Sequence, residues 1–325
     1  MNQKTLGVYY EHPEWFEKFF NKLEQKDINH VKLQSWNSSF NPGTDENNLG
    51  VDVIFNRMSP SAFNRGHENS IFYTLNYMKY LESLGIKIIN GYEAYTYEFS
   101  KSNQINLLRS LNINHPKTYV VNHKEAIINS AKDLKFPIVL KPNIGGSGSN
   151  IIKFDDYAEL EHYLNTNTID WGIDKTLLAQ EFLTAKDSYI VRVETIGGKY
   201  IYAIKIFLTE GEFNLCPADY CKIDDNEIDG MKDGVSGRGA LVEKFDPPKY
   251  IIEQAEKIFQ TANIDVGGLE YLVNSEDDKA YIYDINAMSN FVADPEIVLG
   301  FDPTDNLVDF VNREIQKKVK LPVNL

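Results

Sequence analysis

The sequence predicts a mixed α/β and α+β protein in which an open parallel sheet is followed by two α+β units. Three observations predict this. Strand-like and helix-like segments alternate over residues 1–96; a glycine-rich loop, "LKPNIGGSGSN" at 140–150, lies between two β-rich stretches; and two strand–turn–strand patterns follow residue 188. At 325 residues the chain exceeds the length over which one core usually keeps growing, so units are expected at 1–96, 97–185 and 186–325.

In chain order, "TLGVYY" (5–10) reads as a buried strand. Pro13 can open a helix that carries Trp15, Phe16, Phe19, Phe20 and Leu23 on one face. "VDVIF" (51–55) is a second strand, and the helix after it places Ile71, Phe72, Leu75, Met78 and Leu81 at helical spacing until Gly85, before the strand "IKII". A helix with Ile105, Leu108 and Leu111 inward ends before His115-Pro116, and Asn122/Glu125 resembles a capping box for the next helix. "FPIVLK" and "NIIKF" flank the glycine loop as strands, and "LLAQEFL" is an apolar strand reaching Glu181. "SYIVRVETIGGKYIYAIKIFL" and "GGLEYLVNSEDDKAYIYDIN" read as two hairpins of a largely antiparallel sheet. Between them lies a polar, glycine-rich loop that is long for an idle connection, and Asp302-Pro303 caps a last helix.

Composition narrows the function. Hydrophobic content of 42%, aromatic content of 12% and 25% charged residues describe a globular chain, and a formal charge of −14 argues against a general affinity for nucleic acid or an anionic membrane. The first twenty residues lack an uninterrupted apolar core, so a cytoplasmic chain is expected. The two cysteines, Cys216 and Cys221, lack CxxC spacing and are expected to be reduced structural thiols.

The chemistry concentrates in two clusters. Glycine-rich backbone approaches a ligand closely and can turn its N–H groups toward phosphate oxygens, but this loop lacks Walker and dinucleotide spacing, because Lys141 precedes the glycines and a β-rich segment follows. Lys101 at a helix start, Lys141 at a strand end and Glu181 at the end of an apolar strand form one ordered set. The other set is Glu270 in "GLEYLV" with Asp284 and Asn286 in "YIYDIN"; residues two apart share a strand face, so pairing of the two strands would converge three oxygen-bearing side chains suited to Mg²⁺. Taken singly, the two lysines and Glu181 read as solvated surface residues, and Glu270, Asp284 and Asn286 fit the polar edge of an antiparallel sheet as well as a metal site.

The order of these motifs resembles the ATP-grasp enzymes, in particular the glutathione synthetase and ribosomal-protein glutamate ligase branch, over residues 1–315. The resemblance implies an ATP-grasp architecture with an N-terminal pre-ATP-grasp domain and two subdomains that enclose ATP. It places Lys101 and Lys141 on the nucleotide phosphates, with Gly145, Gly146, Ser147 and Gly148 in a lid over them. Glu181, Phe182 and Leu183 match the hinge that reads the adenine edge, and Asp187 stands where a ribose-binding acid is usual. Glu270, Asp284 and Asn286 match an acid, acid-x-Asn pattern holding two Mg²⁺, with Mn²⁺ open as a substitute; Arg192 falls where an arginine faces the reacting groups.

The implied activity is an ATP-dependent carboxylate–amine ligase acting through an acyl phosphate, with Arg192 and Lys141 as its catalytic cations and small carboxylate and amine substrates as its partners. Neither nucleic acid nor membrane is expected, and a homodimer is left open. "FNRMSPSAFNRGHENS" follows a parallel strand at its carboxyl end, where open sheets bind ligands, so Arg57 and Arg65 are candidates to grip a carboxylate, with Arg238 closing from the long loop. Asp-Ile-Asn at 284–286 also resembles inositol polyphosphate kinases, which keeps a small-molecule kinase open beside a non-catalytic nucleotide-binding regulator.

Overall fold

The computed structural model describes residues 4–12, 14–44, 49–146, 150–208 and 242–317. The N-terminal sheet is parallel, in the order β2 (His30–Gln34), β1 (Leu6–Tyr10), β3 (Val53–Arg57), β4 (Lys87–Ile89). Alternate residues of β1 and β3 serve two cores, as expected of a parallel sheet covered on both faces. Leu6, Val8, Val53 and Phe55 meet helix α1 (Glu17–Gln25) and Leu307, Val308 and Val311 of α9 (Pro303–Gln316). Tyr9 and Ile54 pack with Ile71 and Met78 of α2 (Glu68–Ser83) and Tyr95 of α3 (Tyr92–Phe99).

The second sheet is antiparallel: β5 (Thr118–Val121), β8 (Leu177–Glu181), β6 (Ile138–Pro142), β7 (Ile152–Phe154). Helices α5 (Lys124–Ala131) and α6 (Tyr157–Thr166) close its core through Ile127, Leu160 and Leu164. The third sheet is also antiparallel, ordered β11 (Val242–Phe245), β10 (Lys199–Phe207), β9 (Tyr189–Ile196), β12 (Val266–Val273), β13 (Ala280–Asn286). Helices α4 (Lys101–Ser110) and α7 (Lys249–Thr261) bury Leu107, Leu108, Ile251 and Ile258 against it, while α8 (Pro295–Leu299) packs near β11. Gly197 and Gly198, at φ 63° and 66°, make the β9–β10 turn, where two consecutive left-handed residues match the twist of the strands.

Several local readings shift. The face that α2 buries is Ile71, Thr74, Tyr77, Met78 and Leu81, whereas Phe72 lies 39% exposed. In α4 the inward residues are Gln104, Leu107 and Leu108, so a glutamine stands where Ile105 was expected. The Asn122/Glu125 pair is not a capping box: His123 is the N-cap of α5 and makes no side-chain cap bond, because Asn122 Oδ1 meets His123 Nδ1 at 2.9 Å instead. Pro13, Cys216 and Cys221 lie outside the described residues.

Candidate active site

The three sheets meet around one cavity. Its third-sheet wall is a row of paired residues on adjacent strands, Arg192 of β9 opposite Glu270 of β12 and Glu270 opposite Asp284 of β13. Arg192 Nη1 donates to Glu270 Oε1 at 3.0 Å, and its Nε donates to Glu194 Oε1 at 2.6 Å. Its Nη2 reaches the Ser289 hydroxyl at 2.6 Å. Tyr283 donates its hydroxyl to Glu270 Oε2 at 3.1 Å, and the Asn286 amide donates to Asp284 Oδ2 at 3.3 Å.

The two lysines enter from the opposite side. Lys141 sits near the end of β6, and Lys101 begins α4, whose first turn is tied to β6 by Asn143: its carbonyl accepts the Lys101 amide at 3.1 Å and its Oδ1 accepts the Ser102 amide at 2.9 Å. Lys101 then forms an ion pair with Asp284. Gly145, Gly146, Ser59 and Ser61 complete the rim of the same cavity.

Burial sets the charge states. It opposes a charge on Lys101, but Asp284 beside it holds the ammonium above its usual range. Lys141 has no such contact: burial, reinforced by the Lys101 charge, pushes it down to about 7. Burial would raise Asp284 as well, yet Lys101 and Lys141 hold it below the usual carboxylate range. Glu270 is pushed up to about 6 by burial against the pull of Arg192, and burial also brings Glu98, whose carboxylate accepts the Met288 amide at 3.0 Å, up to about 7.

Residues 99–218 match the model of the RimK-like ATP-grasp domain. The chain carries a RimK-like ATP-grasp domain. Along most of its length it is similar to the alpha-aminoadipate–LysW ligase LysX of Sulfurisphaera tokodaii, with 26% identity over 275 residues, 79% of this chain and 91% of the relative. A shorter stretch of 93 residues is 38% identical to a D-alanine–D-alanine ligase of Wolbachia pipientis, covering 27% of this chain and 29% of that one. The ATP-grasp ligase PsnB, solved with a minimal precursor, superposes with a TM-score of 0.65 at 15% identity over 97% of this chain and 100% of its own, which shows a shared fold. The chain is an ATP-dependent ligase that joins a carboxylate to an amine.

Within the ATP-grasp architecture the cavity brings together eight of the singled-out residues: Lys101, Lys141, Gly145, Gly146, Arg192, Glu270, Asp284 and Asn286. The candidate hinge lies elsewhere on the second sheet. The amides of Glu181 and Phe182 are bonded to the carbonyls of Lys117 and Pro137 at 3.0 and 2.9 Å, and the Phe182 ring lies under the Lys153 ammonium at 5.3 Å. The Glu181 carboxylate accepts the Lys135 amide at 2.9 Å, and Leu183 packs at the edge of a core shared with β10 and α8. Asp187 follows in the turn that enters β9. Ser147, Gly148 and Arg238 lie outside the described residues.

The two arginines expected to grip a carboxylate separate in the structure. Arg65 forms a two-pronged pair with the fully buried carboxylate of Glu11, which also meets His67 Nδ1 at 2.6 Å, so its guanidinium braces the N-terminal sheet instead of standing open. Arg57, opposite Tyr10 at the end of β3, is buried and reaches the Ser289 carbonyl and Asn290 Oδ1 at 2.9 and 2.8 Å.

The cavity is also held by residues that no sequence pattern singles out. Gln104 bonds both backbone groups of Ile285, its Nε2 to the carbonyl at 2.7 Å and its Oε1 to the amide at 3.1 Å, and so fixes the strand between Asp284 and Asn286. Glu194 and Ser289 hold the Arg192 guanidinium, and Ser289 Oγ lies 2.6 Å from Glu194 Oε1. The one available signal for Glu194 was its spacing two residues from Arg192 on a strand.

ATP-grasp ligases use ATP with Mg²⁺. The donor set fits that ion. Two carboxylates face each other in register and the Asn286 amide donates its N–H inward, leaving its oxygen as an acceptor. Among the described residues no group of three or more His, Cys, Asp or Glu gathers as a closed metal cage, and a few oxygen ligands completed by water and phosphate are what Mg²⁺ prefers. No helix among the described residues is long and apolar enough to cross a membrane.

Proposed function

We propose that the row Arg192–Glu270–Asp284, faced by Lys101 and Lys141, is where ATP activates the carboxylate of a small amino acid or peptide for attack by an amine. The row itself carries this reading: three neighbouring strands present a cation, Arg192, then a carboxylate, Glu270, and then a second carboxylate, Asp284, that is paired with Lys101. Glu270, Asp284 and Asn286 would hold Mg²⁺, two ions by this reading with Mn²⁺ as a substitute, which would neutralise phosphate oxygens. Lys141 and Lys101 would contact the phosphates, Gly145 and Gly146 with the following residues would cover them, Glu181, Phe182 and Leu183 would border the adenine and Asp187 the ribose.

In the first step a substrate carboxylate oxygen forms a bond to the γ-phosphorus while the bond to the β-phosphate oxygen breaks, releasing ADP. The amine nitrogen then adds to the acyl carbon, the carbon–oxygen bond to phosphate breaks, and the nitrogen loses a proton as the amide forms. Arg192, held by Glu194, Glu270 and Ser289, is a fixed donor for the oxygen on which charge builds at the acyl carbon. Burial and the Lys101 charge disfavour the charged form of Lys141, and an approaching phosphate would favour it.

The test is the fate of the phosphoryl group. With ATP, Mg²⁺, hydroxylamine and a screen of amino acids and dipeptides, ADP and inorganic phosphate should rise together, and an acceptor hydroxamate should accumulate. Phosphate retained on an alcohol, without hydroxamate, would show kinase chemistry. The cavity opposes that outcome, since its cations are Lys101, Lys141 and Arg192 and two of these already face carboxylates.

A further inference from the structure

Beside the reaction cavity lies a second one of ≈ 350 Å³, which shares Trp15, Ser289 and Asn290 with it. This is within the ~300–1,000 Å³ typical of small-ligand sites. Its walls are mostly apolar, with Phe16, Phe19, Phe55, Phe291, Val292 and Leu307 among them. Lys18, Arg57 and Asp294 are the charged residues of this wall, and of the three only Arg57 is buried. It is 5% exposed, and among the described residues its Nη2 donates only to neutral oxygens of Ser289 and Asn290 while its Nη1 is buried without a hydrogen-bond partner. Among the described residues Arg57 makes no ion pair, and its guanidinium lies against the Phe16 and Phe55 rings at 5.1 and 5.3 Å.

A buried cation with a donor left over is unfavourable until an anion arrives, and a planar guanidinium matches a carboxylate. We infer that this cavity binds the amine substrate, an α-amino acid with a large apolar side chain, whose free carboxylate sits on Arg57 and whose side chain fills the aromatic space. The inference rests on the ligase reading above and names the substrate class for it. Ser289 makes the connection, since its carbonyl accepts Arg57 at 2.9 Å and its hydroxyl meets Arg192 at 2.6 Å. The α-nitrogen, one carbon away from a carboxylate held on Arg57, therefore stands at the wall shared with the reaction cavity, while that carboxylate is kept away from the γ-phosphate.

Calorimetric titration of the full chain with ADP and Mg²⁺ present tests this with L-phenylalanine, L-leucine, glycine, L-phenylalaninamide and the dipeptide Gly-Phe. Phenylalanine and leucine should bind, and glycine and the amide about 10-fold more weakly or worse, one lacking the apolar group and the other the carboxylate. Arg57→Lys should weaken phenylalanine about 10-fold, because a lysine cannot present the guanidinium fork. Ala293→Leu, which narrows the cavity from a different wall, should weaken phenylalanine more than glycine. Glycine equal to phenylalanine, the amide equal to the acid, or both variants unchanged would overturn the inference; tighter binding of Gly-Phe would replace the free amino acid by a peptide C-terminus. Selective binding with no ATP-dependent phosphate release for any carboxylate partner would overturn the ligase reading alone, whereas release driven as fast by glycine as by phenylalanine would overturn the cavity assignment alone.

Discussion

Arg192 and Glu270 occupy opposite positions in the register of β9 and β12, and the guanidinium donates to the carboxylate at 3.0 Å. A buried pair of this kind is weak evidence for stability, because desolvation of both charges offsets much of their attraction. Its placement beside Asp284 makes better sense as an arrangement for chemistry.

Glu270→Gln and Asp284→Asn should each lower Mg²⁺-dependent turnover about 100-fold or more, since each replaces a charged oxygen by a neutral one of nearly equal size. Folding should respond differently. Burial raises Glu270 to about 6 in the folded chain, so its carboxyl favours the neutral form: that contribution to stability is present below the ordinary carboxylate range and lost as pH rises through 6. At pH 8 the neutral Gln variant should therefore unfold no earlier than the parent in a nucleotide-free thermal scan. Normal turnover with a sharply lowered transition in both variants would make the carboxylates structural.

Lys141→Met should abolish turnover and stabilise the nucleotide-free chain near pH 7.5. The Lys141 folded-state pKa, depressed to about 7 by burial and by Lys101, means that its contribution is full above the ordinary lysine range and lost as pH falls toward 7. Stability of the parent should thus rise between pH 7 and 10 more steeply than that of the Met variant, read from urea midpoints across that range. Nucleotide binding should also take up a proton above pH 7, seen as a dependence of binding enthalpy on the buffer, and a Met variant with the same proton uptake would remove Lys141 from the phosphate site.

Patterns of period two and of helical spacing carried most of the fold. The apolar runs of β1, β3, β6, β8 and β12 are buried over nearly their whole length, so their composition announces them. Strand β2 escaped because "HVKLQ" lies at a sheet edge with no fully buried residue, and β11 escaped because only Val242 of its four residues is buried. In the site, the Glu270, Asp284 and Asn286 set was legible because strand alternation projects residues two apart to one face, whereas Lys101 at a helix start and Lys141 at a strand end were legible from their order along the chain. Gln104 was not, since its function is to bond the backbone of Ile285, a partner 181 residues away that no local pattern indicates. The difference between Arg57 and Arg65 was equally hidden, because it depends on the buried Glu11 that engages one of them.

Gly146→Ala should impair turnover more than Gly145→Ala. A Cβ on Gly146 would lie 2.8 Å from the Ser61 side chain and 3.3 Å from its Cα, whereas one on Gly145 would meet nothing closer than 3.8 Å. Ser61 belongs to the 3-10 turn Pro60–Arg65 after β3, so the added methyl would push the glycine loop away from the N-terminal unit. Displacement of that order costs roughly 10- to 100-fold in rate when it moves a group off its reacting geometry. Equal kinetics for the two alanine variants would show that this close approach has no part in turnover.

Asp302 gives the fourth prediction, on stability. It is the N-cap of α9: its Oδ1 accepts the Thr304 amide at 2.9 Å, and its Oδ2 pairs with Lys22 at 2.9 Å and Lys18 at 3.1 Å. Through Leu307, Val308 and Val311 the helix it caps closes the core between the N-terminal sheet and the Ile196 and Val266 ends of β9 and β12, so loosening its first turn should be felt by both sheets. Burial alone would raise the carboxyl; Lys22 and Thr304 reverse this and hold it at about 2. Asp302→Ala should cost about 1–2 kcal/mol at pH 7, and Asp302→Asn less, because the amide oxygen still caps the helix. A depressed folded-state pKa contributes stability that is fully present above the ordinary carboxylate range, near pH 4, and is lost as pH falls through 2. The difference between parent and Ala variant, measured as urea unfolding free energy, should therefore be constant from pH 7 to about 4.5 and shrink below it. A difference that stays constant down to pH 2.5 would mean that hydrogen bonding to Thr304, and not the charge on Asp302, holds the start of α9.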